Sequence, residues 1–254
     1  MNGSLDFLNM IRNQEAGCNT ERSSKETPRP QRKASAESKY QTIDIAKVNK
    51  EETVSRQNIN VGSRTTQSSI GTIIAVVDTE TNWHDEVMSV GIALADASDY
   101  RCVDKRYYIF DQEARVGGIY SYVVHMRNLP EVVCTRKNGM ADIKKYLADK
   151  GVTKILAYNA KFDYNHLPEL RDFDWYDIMR LAAYKQYNKA IPESLPCCKT
   201  GRLKTSYGVE PIMQMLTGNA GYSEVHNAVM DAVDELKIVE LLGHGMEEYE
   251  CAKL

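Results

Sequence analysis

The pattern of apolar and polar positions divides the chain near residue 69, with packed elements predicted only beyond that point. TIIAVVD (72–78) is a continuous apolar run rich in β-branched residues, which predicts a strand buried on both faces. EVMSVGIALAD (86–96) and CVDKRYYIF (102–110) predict two more strands, and the short connections between the three predict antiparallel pairing. GMADIKKYLAD (139–149) predicts a helix stopped by Gly151, and KILAYN (154–159) a second buried strand. FDYNHLPEL begins a short helix that Pro168 bends or ends; DWYDI (174–178) is a fifth strand leading into a helix over MRLAAYKQY. IPESLPCCKTGR reads as loop, followed by a helix over about 206–216. The last helix is predicted from about Asn227 to Leu242, with Val229, Val233, Leu236 and Val239 as its apolar stripe and Gly243 as its stop.

Three strands in a meander, then alternating helices and strands, predict an α/β fold: a mixed five-stranded sheet, its first three strands antiparallel, flanked by helices. The two later strands join in parallel through right-handed crossovers. In such sheets the ligand crevice lies beyond the strand ends at the topological switch. Asp78 ends the first strand and Asp163 falls just past the fourth, so both acids sit where a site is expected.

Residues 12–68 are rich in Ser, Thr, Asn, Gln, Lys and Glu and hold one aromatic, Tyr40. That is too little apolar surface to offset chain entropy, so a disordered N-terminal tail (1–68) is expected ahead of one domain over 69–254. Within it, Ser4 caps a possible short helix at 4–12 whose stripe is Leu5, Leu8 and Ile11. Such a helix is either a frayed end or a docking element for a protein partner.

Charge is uneven along the chain. Residues 1–68 hold 11 Lys+Arg against 8 Asp+Glu; the remainder holds 21 against 27, a balance of −6. An acidic domain argues against nonspecific coating of DNA, but it accepts an anionic substrate where bound cations meet the phosphate. None of the six cysteines forms C-x-x-C, and adjacent Cys197 and Cys198 suit neither a disulfide nor two ligands of one zinc. Reduced thiols in a cytoplasmic protein are expected. No apolar run approaches the roughly 18 residues of a membrane span, and the N-terminus lacks the pattern of a secretory signal, so no membrane association is expected.

Asp78 and Glu80 lie in VVDTET, where alternate positions of an extended chain point to one side. Two carboxylates held together repel unless divalent cations neutralise them. Asp111-Gln112-Glu113 repeats the spacing, but it follows the amphipathic KRYYIF and reads as a solvated turn. Asp163 lies in YNAKFD, a place where an acid also serves as a helix cap. His226 and Asp231 in HNAVMD would stand about 140° apart if both were helical. His226 is therefore placed on the loop entering the helix, with Asp231 in the first turns, facing away from the Val229 stripe. Four such carboxylates suit two Mg²⁺ or Mn²⁺ ions about 4 Å apart. A histidine beside them takes a proton from water near neutral pH.

VVDTETNW, AYNAKFD and HNAVMDA together resemble the three exonuclease motifs of the DEDDh family, which includes ribonuclease T and the proofreading epsilon subunit of bacterial DNA polymerase III. The resemblance spans most of 70–243 and implies a ribonuclease H-like fold and 3′→5′ exonuclease activity. It implies that Asp78, Glu80, Asp163 and Asp231 bind two metal ions and that His226 is the general base. The expected substrates are single-stranded or frayed 3′ ends of DNA or RNA, cut to nucleoside 5′-monophosphates. Thr79, Thr81, Asn159 and Phe162 would hold the terminal nucleotide. A sister branch with Tyr-x3-Asp is excluded, because position 227 is Asn. The family often continues with Thr-Thr-Gly where this chain has Thr81-Asn82-Trp83, so the loop after Glu80 departs from the pattern. Trp83 either stacks on the terminal base or packs under a helix. Asp177 resembles a family acid and reads as structural. Residues 115–125 (RVGGIYSYVVH) form either a loop over the site or a packed helix. Two other functions fit the same fold: a noncatalytic nucleic-acid or polymerase-binding partner, and a phosphodiesterase for short oligonucleotides or dinucleotides.

Overall fold

The run at 72–78 lies inside a six-stranded sheet in the computed structural model, which describes residues 72–126 and 129–254. The expected tail and its helix at 4–12 lie outside the described residues. The strands are β1 (Ile73–Thr81), β2 (Val87–Asp96), β3 (Cys102–Phe110), β4 (Val132–Cys134), β5 (Lys154–Ala157) and β6 (Asp174–Asp177), in the spatial order β4-β3-β2-β1-β5-β6. β1, β2 and β3 pair antiparallel, while β5 and β6 join β1 in parallel. This is the mixed α/β arrangement expected, with one strand more than the five predicted. β4 is only three residues long, sits parallel to β3 at the edge and leaves Val132 and Val133 exposed. So short a segment carries no periodicity of its own.

The helices are α1 (Asp111–Val116), α2 (Arg136–Asp149), α3 (Lys161–His166), α4 (Met179–Ala182), α5 (Val209–Thr217) and α6 (Ala228–Leu242). α2 starts three residues before the expected boundary because Thr135 caps it, its side chain accepting from the N–H of Asn138. The helix expected over MRLAAYKQY stops after Ala182. There the buried Asn188 donates to the Ala182 carbonyl at 2.8 Å and satisfies it outside a helix. Asp111 and Glu113 open α1, not a plain turn, and Asp111 pairs with Arg115 at the surface.

Both faces of the sheet are covered, as the apolar run in β1 requires. Ile74 and Val76 pack with Ala232, Leu236 and Val239 of α6, whereas Ala75 and Val77 pack on the other face with Met140 and Ile143 of α2. The five cysteines among the described residues are all free. Among the described residues no helix is long and apolar enough to cross a membrane.

Candidate active site

The period of two along β1 decides where its acids point. Ile74 and Val76 face α6, so Asp78 and Glu80 continue that face past the apolar core. Thr79 has the opposite parity, and its hydroxyl donates to Asp163 Oδ1 at 2.8 Å from the start of α3. The turn carrying Asp163 is held from two further sides. Asp177 Oδ1 accepts the N–H groups of Asn159 and Met179, both at 3.0 Å. Glu235 Oε2, in α6, accepts the buried N–H of Tyr158 at 3.0 Å.

α6 approaches the sheet closely because β2 carries a glycine opposite Asp78. A Cβ at Gly91 would lie 2.0 Å from the Ala228 carbonyl oxygen and 2.2 Å from the Val229 nitrogen. The first turn of α6 therefore rests directly on strand backbone, which brings Asp231 down beside β1. His226 stands just before the helix with φ of 60°, a left-handed conformation unusual for a side-chain-bearing residue. Asn227 fixes this entry by donating to Tyr107 Oη at 3.1 Å and to the Val123 carbonyl at 2.8 Å.

Glu80, His226 and Asp231 each present a ligand atom within 4.8 Å of those of the other two. Burial pushes Asp78 well above the usual carboxylate range, reinforced by Glu235, Asp163, Glu80 and Asp231. Burial and then Asp231, Glu224 and Asp163 raise Glu80 to about 8. Asp231 is raised to about 8 by burial, Glu224 and Asp234, and Asp163 to about 7, mainly by burial. Asp78 thus lies within electrostatic reach of Glu80, Asp163 and Asp231, and Glu80 within reach of Asp163 and Asp231, although Asp78 and Asp163 are not part of the 4.8 Å group. Burial lowers the imidazole of His226 and favours its neutral, proton-accepting form.

Hard divalent cations fit this set of donors. Asp78 Oδ2 and Asp231 Oδ1 are buried without a hydrogen-bond partner, an arrangement that costs free energy unless something positive meets them. Among the described residues no Lys or Arg pairs with these carboxylates.

Protonation supplies the same relief, which fixes the sign of a pH effect. The folded values of Glu80, Asp163 and Asp231 are raised, so their contribution to stability is fully present below the ordinary carboxylate range. It is lost as pH rises through about 7 to 8. Metal-free protein is expected to melt lower at pH 8 than at pH 5. Saturating Mg²⁺ or Mn²⁺ should raise the midpoint at pH 8 by about 5 °C or more and do much less at pH 5, where protons compete. Differential scanning fluorimetry with chelator or metal reads this directly. A midpoint indifferent to metal at pH 8 would count against a cation site.

Two carboxylates were not anticipated. Glu235 lies four residues beyond Asp231, hence on the same helix face, and is 2% exposed. That spacing was the available signal. Glu224, on the loop before His226, is raised to about 7 by burial, Asp234 and Glu210.

The residues expected to touch a nucleotide divide. Thr79 is buried, with its hydroxyl committed to Asp163, and Thr81 is half-buried at the end of β1. Asn159 is exposed with φ of 58°, and Phe162 is exposed, its ring tilted against that of His166 with centroids 4.1 Å apart. Trp83 is 66% exposed, which removes the reading of a tryptophan packed under a helix. Asn82 shapes the divergent loop: its Oδ1 accepts from the N–H groups of His84 and Glu86, and its amide donates to the Glu113 carbonyl. Residues 117–124 run beside the site as a loop with one turn of 3₁₀ helix, and Tyr120 stacks on His226.

No family model matches the chain, and no curated protein does. Among the solved structures similar to it is the nuclease domain of 3′hExo, a DEDDh family member, bound to rAMP. Identity there is 13% and the TM-score 0.46, with 68% of this chain and 92% of that one covered. A complex of E. coli ExoI with ssDNA is 15% identical with a TM-score of 0.44; the match covers 68% of this chain and spans only 40% of that one. Cell-death related nuclease 4 is 11% identical with a TM-score of 0.42, covering 67% of this chain and 63% of that one. The DEDDh family, which the three sequence motifs resemble, is thus represented among the solved structures to which this chain is similar.

Proposed function

We propose that the chain is a 3′→5′ exonuclease that hydrolyses the terminal phosphodiester of single-stranded or frayed DNA or RNA and releases nucleoside 5′-monophosphates. One observation carries the reading. Glu80, Asp231 and the imidazole of His226 present ligand atoms within 4.8 Å of one another, Asp78 lies within electrostatic reach of Glu80, Asp163 and Asp231, and Asp78 Oδ2 and Asp231 Oδ1 are buried without a partner. Two Mg²⁺ or Mn²⁺ ions held by those four acids would neutralise them, draw in the phosphate and stabilise charge on the departing oxygen. His226 would take the proton of the attacking water, as a neutral imidazole can. Thr79 keeps Asp163 turned inward through its hydroxyl. Trp83 and Phe162 offer exposed aromatic faces on which bases of any sequence can stack.

Digestion of 3′- and 5′-labelled DNA and RNA, with Mn²⁺ or with chelator, tests this. Metal-dependent release of labelled mononucleotide from the 3′ end, with stepwise shortening of the 5′-labelled strand, is expected. No metal-dependent product from any strand would refute it and favour a noncatalytic binding role. The acidic balance of residues 69–254 favours a second reading, a phosphodiesterase for very short oligonucleotides. A rate that falls steeply beyond dinucleotides in a substrate-length series would select it.

A further inference from the structure

We propose that Tyr120 is a positioning residue for His226: its ring holds the imidazole edge-on to the acids. The inference rests on the proposed role of His226 as base. The two rings stack with centroids 4.0 Å apart and an interplanar angle of 15°. Among the described residues no hydrogen bond holds the His226 imidazole, and its backbone lies in a left-handed conformation that residues with side chains rarely keep without support. With one face of the imidazole covered, a ring nitrogen still comes within 4.8 Å of oxygens of Glu80 and Asp231. The stack therefore restrains rotation of the ring without closing the edge that must meet water.

Tyr120 is itself firmly placed. On its N-terminal side, the Trp83 N–H donates to the Gly117 carbonyl at 3.0 Å, and Gly118 lies so close to β1 that a Cβ would sit 2.6 Å from the Thr81 oxygen. On its C-terminal side, Asn227 donates to the Val123 carbonyl and Tyr107 Oη donates to the Val124 carbonyl at 2.9 Å. The loop is thus tied to the strand bearing Glu80, to β3 and to the entry of α6. Tyr120 moves with the elements that carry the acids, and a stacked ring passes that placement to the histidine.

The test uses Tyr120→Ala and Tyr120→Phe in the full chain. Tyr120→Ala should lower kcat about tenfold with KM nearly unchanged, the scale of one aromatic pair; Tyr120→Phe keeps the ring and should restore the rate. A readout independent of catalysis is the ring-current shift of the His226 C–H resonances in NMR. They should move downfield in Tyr120→Ala and return in Tyr120→Phe. Unmoved resonances, an unchanged kcat, a rate not rescued by phenylalanine, or a rise in KM alone would each overturn the inference, the last by making Tyr120 a substrate contact. A wild-type protein without metal-dependent hydrolysis would instead overturn the proposed function, while the resonances would still report whether the stack exists.

Discussion

Asp231→Asn should fold, melt higher than the wild type in chelator at pH 8, and lose about three orders of magnitude in metal-dependent hydrolysis. The two effects have one cause. Asp231 is 2% exposed, has an unpartnered oxygen and sits among Glu80, Glu224 and Asp234, so its charge opposes folding when no cation is present. The amide has almost the same shape without the charge. In the wild type that charge would help to hold cations whose contribution to the transition state is several kcal/mol, and each 1.36 kcal/mol is a factor of ten. Melting curves and single-turnover kinetics on one preparation check both halves. Asp163→Ala should lose hydrolysis as fully but melt lower than Asp231→Asn, because it also strands the Thr79 hydroxyl. A folded Asp231→Asn protein with near-normal rate would end the metal-site reading.

Gly91→Ala should lower both stability and activity, although Gly91 carries no functional group. The added methyl would lie 2.0 Å from the Ala228 carbonyl oxygen, and neither strand nor helix backbone yields as a side chain does. α6 must lift by on the order of 1 Å, which costs about 1–3 kcal/mol as overpacking. It also carries Asp231 and His226 away from Asp78 and Glu80. A misplacement of about 1 Å is worth roughly a hundredfold in rate, and the affinity for Mn²⁺ should fall in parallel. Gly221→Ala, where the nearest atom is Asn219 Oδ1 at an ordinary 3.4 Å, is the control and should behave as the wild type. A Gly91→Ala protein with wild-type kcat would mean that close contact does not place the helix.

The elements that bear the acids were legible because their signals are local. The apolar run before Asp78, the same kind of run before Asp163, and the stripe after His226 each announce an element within a few residues. Alternation along β1 also put Asp78 and Glu80 on one face. The placement of His226 before the helix followed from helical geometry alone and matches its position ahead of Asn227. The fold class followed from the order of those elements.

Other features were faint or silent at that level. Glu235 offers only its four-residue spacing from Asp231, and Gly91 looks like an ordinary interruption of a buried strand. Nothing about Tyr120 in RVGGIYSYVVH separates a ring stacked on a histidine from one packed in a helix. Each takes its meaning from a segment far away in the chain: Tyr158 for Glu235, Ala228 for Gly91, His226 for Tyr120. By itself the sequence determined the order of the elements and which of them present the residues proposed to carry the chemistry, since side-chain period and strand ends are short-range properties. Tertiary structure alone decided how closely α6 lies on the sheet, which further carboxylates face the cluster and what holds the imidazole. Burial and electrostatic reach depend on distances between segments that local pattern does not encode.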